Sequence, residues 1–225
     1  MLSMQTDEIL ESIQKGNLSR INELLETNPA LANTRAKNGV SILLLALYYG
    51  HHDIALAIAA KKPALDIFEA SVLGKIENVR NLIQRDHSLV DSYSPDGFTP
   101  VALSAYLGQK DVTEYLLEEG ANVNAIAKSA TGFTPLTGAI ANNHVEISKI
   151  LVKRGANVNH RYEGGVSPLM EASMNGNLEL VNFLLENGAD HNAKTKDGKI
   201  PMSFAKEKNH TKLVEILKKH GAIAL

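Results

Sequence analysis

Side chains that could do chemistry are plentiful in this chain: 8 histidines and 25 carboxylates, with no cysteine, in 225 residues. A metal centre needs ligands converging on one point, and the adjacent pair His51-His52 comes nearest to that. His51, His144 and His210, however, each follow a glycine or asparagine at one recurring place, so a packing role accounts for them. Paired carboxylates could serve as general acid and base. Glu69 and Glu171 share a second recurring place, three units apart. Units stacked at a helix-packing distance of about 10 Å keep such groups out of one cleft, and a solvated face is expected for both. No glycine-rich phosphate loop, zinc-protease helix, calcium loop or nucleophile elbow is present. No catalytic residue, metal ligand or cofactor is therefore expected, and the lack of cysteine rules out a disulfide framework.

The elements that would position any remaining site repeat. Gly97-Phe98-Thr99-Pro100 returns as Gly132-Phe133-Thr134-Pro135, Gly165-Val166-Ser167-Pro168 and Gly198-Lys199-Ile200-Pro201. A second phrase keeps step with it: Gly120-Ala121-Asn122-Val123-Asn124, Gly155-Ala156-Asn157-Val158-Asn159 and Gly188-Ala189-Asp190-His191-Asn192, with a last trace at Gly221-Ala222. Between the two lie two short helices. The hydroxyl of Thr99, Thr134 or Ser167 caps the first, and the proline after it sits where a missing N–H costs least. Gly120, Gly155 and Gly188 suit the left-handed turn that ends the second. A period in this range marks an array whose units bury their apolar faces only against one another.

From about Asp96 onward the chain resembles the ankyrin repeat family, whose units are a turn and two helices opening on a Thr-Pro-Leu-His signature. Earlier residues extend the likeness: Asn38-Gly39-Val40-Ser41 is a worn start, with Ala46 and Gly50 in place, and Leu65 to Ala70 opens a further unit ending its first helix at Gly74. Ile9, Leu10 and Ile13, then Leu18, Ile21, Leu24 and Leu25, read as an N-terminal helix pair. The expected fold is an all-α repeat solenoid, an ankyrin array of about seven helix-turn-helix units with short β-hairpin fingers between the later repeats. It forms one elongated domain, 1–225: a capping pair at about 5–36, repeats at about 37–65, 66–94, 95–128, 129–161 and 162–194, and a capping repeat at 195–225.

Three departures from the family pattern stand out. The link Lys61-Lys62-Pro63-Ala64 is too short for a projecting finger, so that finger is expected to be missing. The connection from Asn124 to Gly132 is longer than its successor from Asn159 to Gly165, which predicts a lengthened finger around Ala127 to Ala130. The signature histidine is replaced by Leu44, Phe68, Ala102, Thr137, Met170 and Ser203, so its hydrogen bonds within the finger must be replaced or lost.

The resemblance implies a concave groove lined by first helices and fingers. The first-helix positions that would point into it are Tyr48 and Tyr49, Val72 and Leu73, Tyr106 and Leu107, Ala141 and Asn142, Met174 and Asn175, then Glu207 and Lys208. The finger position before Thr or Ser runs Val40, Phe98, Phe133, Val166 and Lys199. Both rows begin apolar and end charged. Exposed apolar surface with aromatic anchors marks interaction sites, so the expected partner-binding residues are Tyr48, Tyr49, Leu73, Phe98, Tyr106, Leu107, Phe133 and Met174. Against this stands a purely structural use: with a finger missing, Tyr48, Tyr49 and Leu73 could pack on neighbouring first helices to close the gap.

Two functions follow. One is a non-catalytic protein–protein interaction module, not an enzyme, holding a protein partner in the groove; the other is a regulatory or accessory subunit of an enzyme complex. A net charge of -2 argues against nucleic acid, which favours a basic face. Lys206, Lys208, Lys212, Lys218 and Lys219 alternate with Glu207 and Glu215, as a solvated terminal cap should. Met1 to Glu8 has neither a basic start nor a long apolar stretch, so no secretory signal or membrane anchor is expected there, and a cytoplasmic monomer is the expectation.

Overall fold

The computed structural model describes residues 2–222; Met1 and residues 223–225, the extreme ends of the expected domain, lie outside the described residues. Fourteen α-helices make up the array among those described residues, and no extended strand pair occurs there. They fall into consecutive pairs: α1 (Leu2–Gln14) with α2 (Leu18–Thr27), α3 (Ile42–Tyr48) with α4 (His52–Lys61), and α5 (Ile67–Val72) with α6 (Ile76–Arg85). Then come α7 (Pro100–Tyr106) with α8 (Lys110–Glu118), α9 (Pro135–Ala141) with α10 (Val145–Lys153), α11 (Pro168–Asn175) with α12 (Leu178–Glu186), and α13 (Pro201–Glu207) with α14 (Thr211–Lys219). First helices pack on first helices along the stack, and second helices on second helices except between α4 and α6, which make little or no contact.

Helices this short are not stable alone, so caps and packing must hold them. Ser41, Thr99, Thr134 and Ser167 accept from the N–H three residues on, and Pro100, Pro135 and Pro168 begin the helices that follow the last three. Every first helix from α3 onward ends at a left-handed residue: Gly50, Gly74, Gly108, Asn143, Gly176 or Asn209. The apolar core runs the length of the chain in two clusters, one around α1 to α4 and the other from Ile67 to Ala222. Leu65 and Phe68 pack against both.

Polar side chains stitch neighbouring units. Asn124 donates to Gly155 O at 3.0 Å and accepts from Asn157 N at 2.8 Å; Asn159 repeats this one unit on, with Gly188 O and Asp190 N. His144 Nε2 lies 3.0 Å from Tyr106 O, and His210 Nε2 lies 3.2 Å from Met174 O. The corresponding Gln109 donates to Val72 O at 3.0 Å. These histidines therefore tie the end of one first helix to the next unit. The missing signature histidine is replaced in kind at three units: Thr137 Oγ1 accepts from Thr134 N, Met170 Sδ from Ser167 N, and Ser203 Oγ from Ile200 N.

The loops preceding first helices are tight turns, closed by Ala36 N to Val40 O, Ser94 N to Phe98 O, Ala127 N to Phe133 O, Tyr162 N to Val166 O and Thr195 N to Lys199 O. The third spans two more residues than the others, the lengthened one of the sequence. Isolated bridges close only two of them, Arg35 with Ser41 and Tyr162 with Val166, among the described residues. Each later finger donates to the one before it: Lys128 N to Gly97 O, Glu163 N to Thr131 O and Lys196 N to Gly164 O.

The link from α4 to α5, residues 62–66, has no such turn among the described residues, and the two flanking fingers close the space. A methyl built on Gly39 would lie 3.0 Å from Pro95 Cβ, so the 36–40 finger sits directly against the 94–98 finger. Charged groups fill what remains. Lys62 Nζ lies 3.1 Å from Glu69 Oε1 with side chains 5% and 1% exposed, and it also reaches Asn33 Oδ1 at 3.2 Å. Arg35 closes the outside by pairing with Asp66 at 2.9 Å. The expected solvated face for Glu69 is thus overturned: the short link carries Lys62 over it, and burial comes with a counter-charge. Glu171 also has a specific partner, the hydroxyl of Tyr162 at 2.5 Å.

Candidate functional site

Four of the expected binding residues meet. Tyr48 at the end of α3, Phe98 on the second finger, Tyr106 at the end of α7 and Phe133 on the lengthened finger line one cleft of about 230 Å³. Ala102 and Leu103 of α7, Thr134 and Gly138 of α9 complete the lining, and none of the eight residues is charged. The repeat phrase brings both phenylalanines to equivalent finger positions. The common helix length brings both tyrosines to equivalent helix ends. The missing finger then lets Tyr48 reach past α5 to the unit beyond.

That reach is fixed by a hydrogen bond. Tyr48 donates its hydroxyl to Asp96 Oδ2 at 2.6 Å, and Ser94 donates to the other oxygen of the same carboxylate at 2.5 Å. Burial, then the bond to Asp96 and its charge, push the Tyr48 phenol well above its ordinary range. It therefore stays a neutral donor, while 38% of the residue remains exposed. Beyond Phe133 the aromatic row continues: Tyr162 meets the Phe133 ring edge-on, with centroids 5.0 Å apart. Its phenol is also raised, by burial first and by the bond to Glu171 second.

The other expected residues lie apart from this cleft. Tyr49 is 50% exposed, with its ring 6.4 Å from that of His51. Leu73 and Leu107 are half-buried and pack against the N-terminal core. Met174 is half-buried at the end of α11, where its carbonyl meets His210. Tyr162 and Gly138 went unnoticed in the sequence. Tyr162 opens its turn in the slot held by Ala36, Ser94, Ala127 and Thr195 in the other fingers, where no other aromatic residue occurs. Gly138 carries a signal once the first helices are aligned on their left-handed ends: that slot holds Leu45, Glu69, Leu103, Gly138, Glu171 and Phe204.

Such a cleft offers apolar contact and ring faces, with no titrating pair to move a proton. Among the described residues no cluster of three or more His, Asp or Glu side chains converges as a metal site would require, and no helix is long and apolar enough to cross a membrane.

Residues 56–162 match the family model described as ankyrin repeats (3 copies), and residues 151–205 match that described as ankyrin repeats (many copies). A relative, ankyrin repeat and SAM domain-containing protein 6 of Danio rerio, is 34% identical over 64 residues. That stretch covers 28% of this chain and 8% of the relative.

Proposed function

The chain belongs to the ankyrin repeat family, and from that premise we propose that it is a non-catalytic module that binds a protein partner through the aromatic cleft and the groove around it. Ankyrin repeats generally serve protein–protein interaction. One observation carries the reading for this chain: rings from four separated segments converge on a single uncharged, solvent-open cleft. A solenoid stabilised by its own stacking has no need of that at its surface. Tyr49 and Met174 extend the contact beyond the cleft, and Leu73 and Leu107 support it from beneath. A cytoplasmic location suits a chain that needs no disulfide.

Affinity purification of the full chain, beside a Tyr106→Ala plus Phe133→Ala variant, tests this. The partner recovered with the parent should be lost with the variant, while both retain the helical circular dichroism spectrum and a cooperative melt. Equal recovery by a folded variant would remove the cleft from the interface.

A further inference from the structure

Gly138 lies inside α9, and its backbone is outside the left-handed region that would demand glycine. Space does not demand it either. A Cβ there would stand 3.5 Å from Tyr106 Cβ and 3.6 Å from Tyr106 Cδ2, which is ordinary contact. Glycine within a helix lowers its stability relative to alanine, so this residue weakens α9 without a local reason. What it does is open the cleft floor, at a slot where every other first helix from α3 onward carries a longer side chain. An engineered apolar cavity of about 150 Å³ accepts benzene, and this cleft is larger, at about 230 Å³.

We infer, resting on the binding role proposed above, that the cleft is an anchor pocket for one phenylalanine- or leucine-sized side chain of a partner peptide whose neighbouring residues are acidic. The anchor is uncharged because no lining residue is charged, and the adjacent Asp96 is already engaged by Tyr48 and Ser94. The acidic flank follows from charge complementarity. On the fingers from Lys128 onward the exposed cations Lys128, Arg161, Lys194 and Lys196 outnumber the exposed anions Glu163 and Asp197; Asp197 accepts from Thr195, and the Lys128 ammonium lies over the Tyr93 ring. A peptide running from the pocket along these fingers meets a net positive field, which screening by salt would weaken.

A random peptide library displayed on phage and selected against the full chain provides the probes, followed by binding assays with the synthetic peptides recovered. Enriched peptides should share one aromatic or leucine residue beside acidic positions. Replacing that residue by alanine should weaken binding about tenfold or more, as for an interface anchor. Gly138→Leu fills the floor and should cost a similar factor at an undiminished melting temperature. Gly138→Ala, the milder change, should weaken binding several-fold and keeps the test open if the leucine variant does not fold. Lys194→Glu with Lys196→Glu should weaken binding and flatten its salt dependence. Peptides that bind both Gly138 variants as tightly as the parent, yet lose affinity for Tyr49→Ala or Met174→Ala, would overturn the pocket and leave the groove standing. Peptides indifferent to all these changes, or no enrichment, would overturn both. Enrichment of basic flanks would overturn the charge argument and with it the stated partner.

Discussion

The joint between α4 and α5 and the stretch from α7 to α12 solve the same problem, joining one helix pair to the next, by different means. The later joints use repeated parts, finger amides donating to the preceding finger and Asn124 and Asn159 each bridging two backbone groups of the next unit, with ion pairs such as Lys149 with Glu179 only at the surface. The early joint has lost its finger and holds together through charge: Lys62 with Glu69 inside and Arg35 with Asp66 outside. A repeat can be copied with its joints; a missing one must be repaired by side chains particular to that place. The repair also moves surface. Tyr48 spans the gap to Asp96 and becomes a wall of the cleft, so the irregular joint and the candidate site are one construction.

The sharpest way to break this contrast uses two glutamates in the same helix slot. Removing one partner of a buried ion pair costs about 3–5 kcal/mol, because the other charge is left unpaired. Glu69→Ala strands the Lys62 ammonium, whose side chain is 5% exposed. It should lose that much stability in urea denaturation. Glu171→Ala releases only one hydroxyl, that of Tyr162, and should lose about 1 kcal/mol, the net worth of an ordinary hydrogen bond. Replacing Lys62 and Glu69 together by methionine and leucine should recover most of the loss. Equal costs at Glu69 and Glu171 would mean that the early joint is no different in kind.

Next in size is the asparagine joint. Asn159→Ala removes a donor to Gly188 O and an acceptor for Asp190 N, at 2.9 and 2.8 Å. Both bonds are on an exposed edge where water can replace them, so about 1–2 kcal/mol is expected. Hydrogen exchange should show the loss confined to the α9–α12 units, since stability in an array is a sum of neighbouring interfaces. A cost matching that of Glu69→Ala would show the asparagine ladder to be as critical as the buried pair.

The regular joints were legible, and so was the missing finger, from the short link Lys61 to Ala64; the charged repair was not, for a physical reason. Thr99, Thr134 and Ser167 act on their own helix ends, and Gly120, Gly155 and Gly188 on their own turns, so local chemistry and period suffice to place them. The gathering of Tyr48, Phe98, Tyr106 and Phe133 was also within reach, because each occupies a repeating slot. Glu69 read as solvated because it shares a slot with Glu171; only the path of the short link, which no periodicity describes, brings Lys62 over it. Tyr162 stands in a turn slot that holds only small residues in the other fingers, so no aromatic row leads to it. Gly138 was missed because a reading that looks for anchors passes over a residue with no side chain, though its absence shapes the cleft.

The smallest effect has the opposite sign to the others and falls in the same slot as the largest. Gly138→Ala adds a methyl that meets Tyr106 at 3.5 and 3.6 Å, without overlap, in a helix already in right-handed geometry. Alanine is favoured over glycine inside a helix by about 0.5–1 kcal/mol, and the methyl gains contact with an otherwise open floor. The variant should therefore melt at a higher temperature than the parent. One alanine costs stability at Glu69 and adds it at Gly138, because the early joint depends on the side chain it has and α9 forgoes the side chain it could carry. A melting temperature below the parent's would mean that Tyr106 cannot yield to the methyl, making Gly138 a packing necessity and removing the reason to read the cleft as a place kept open.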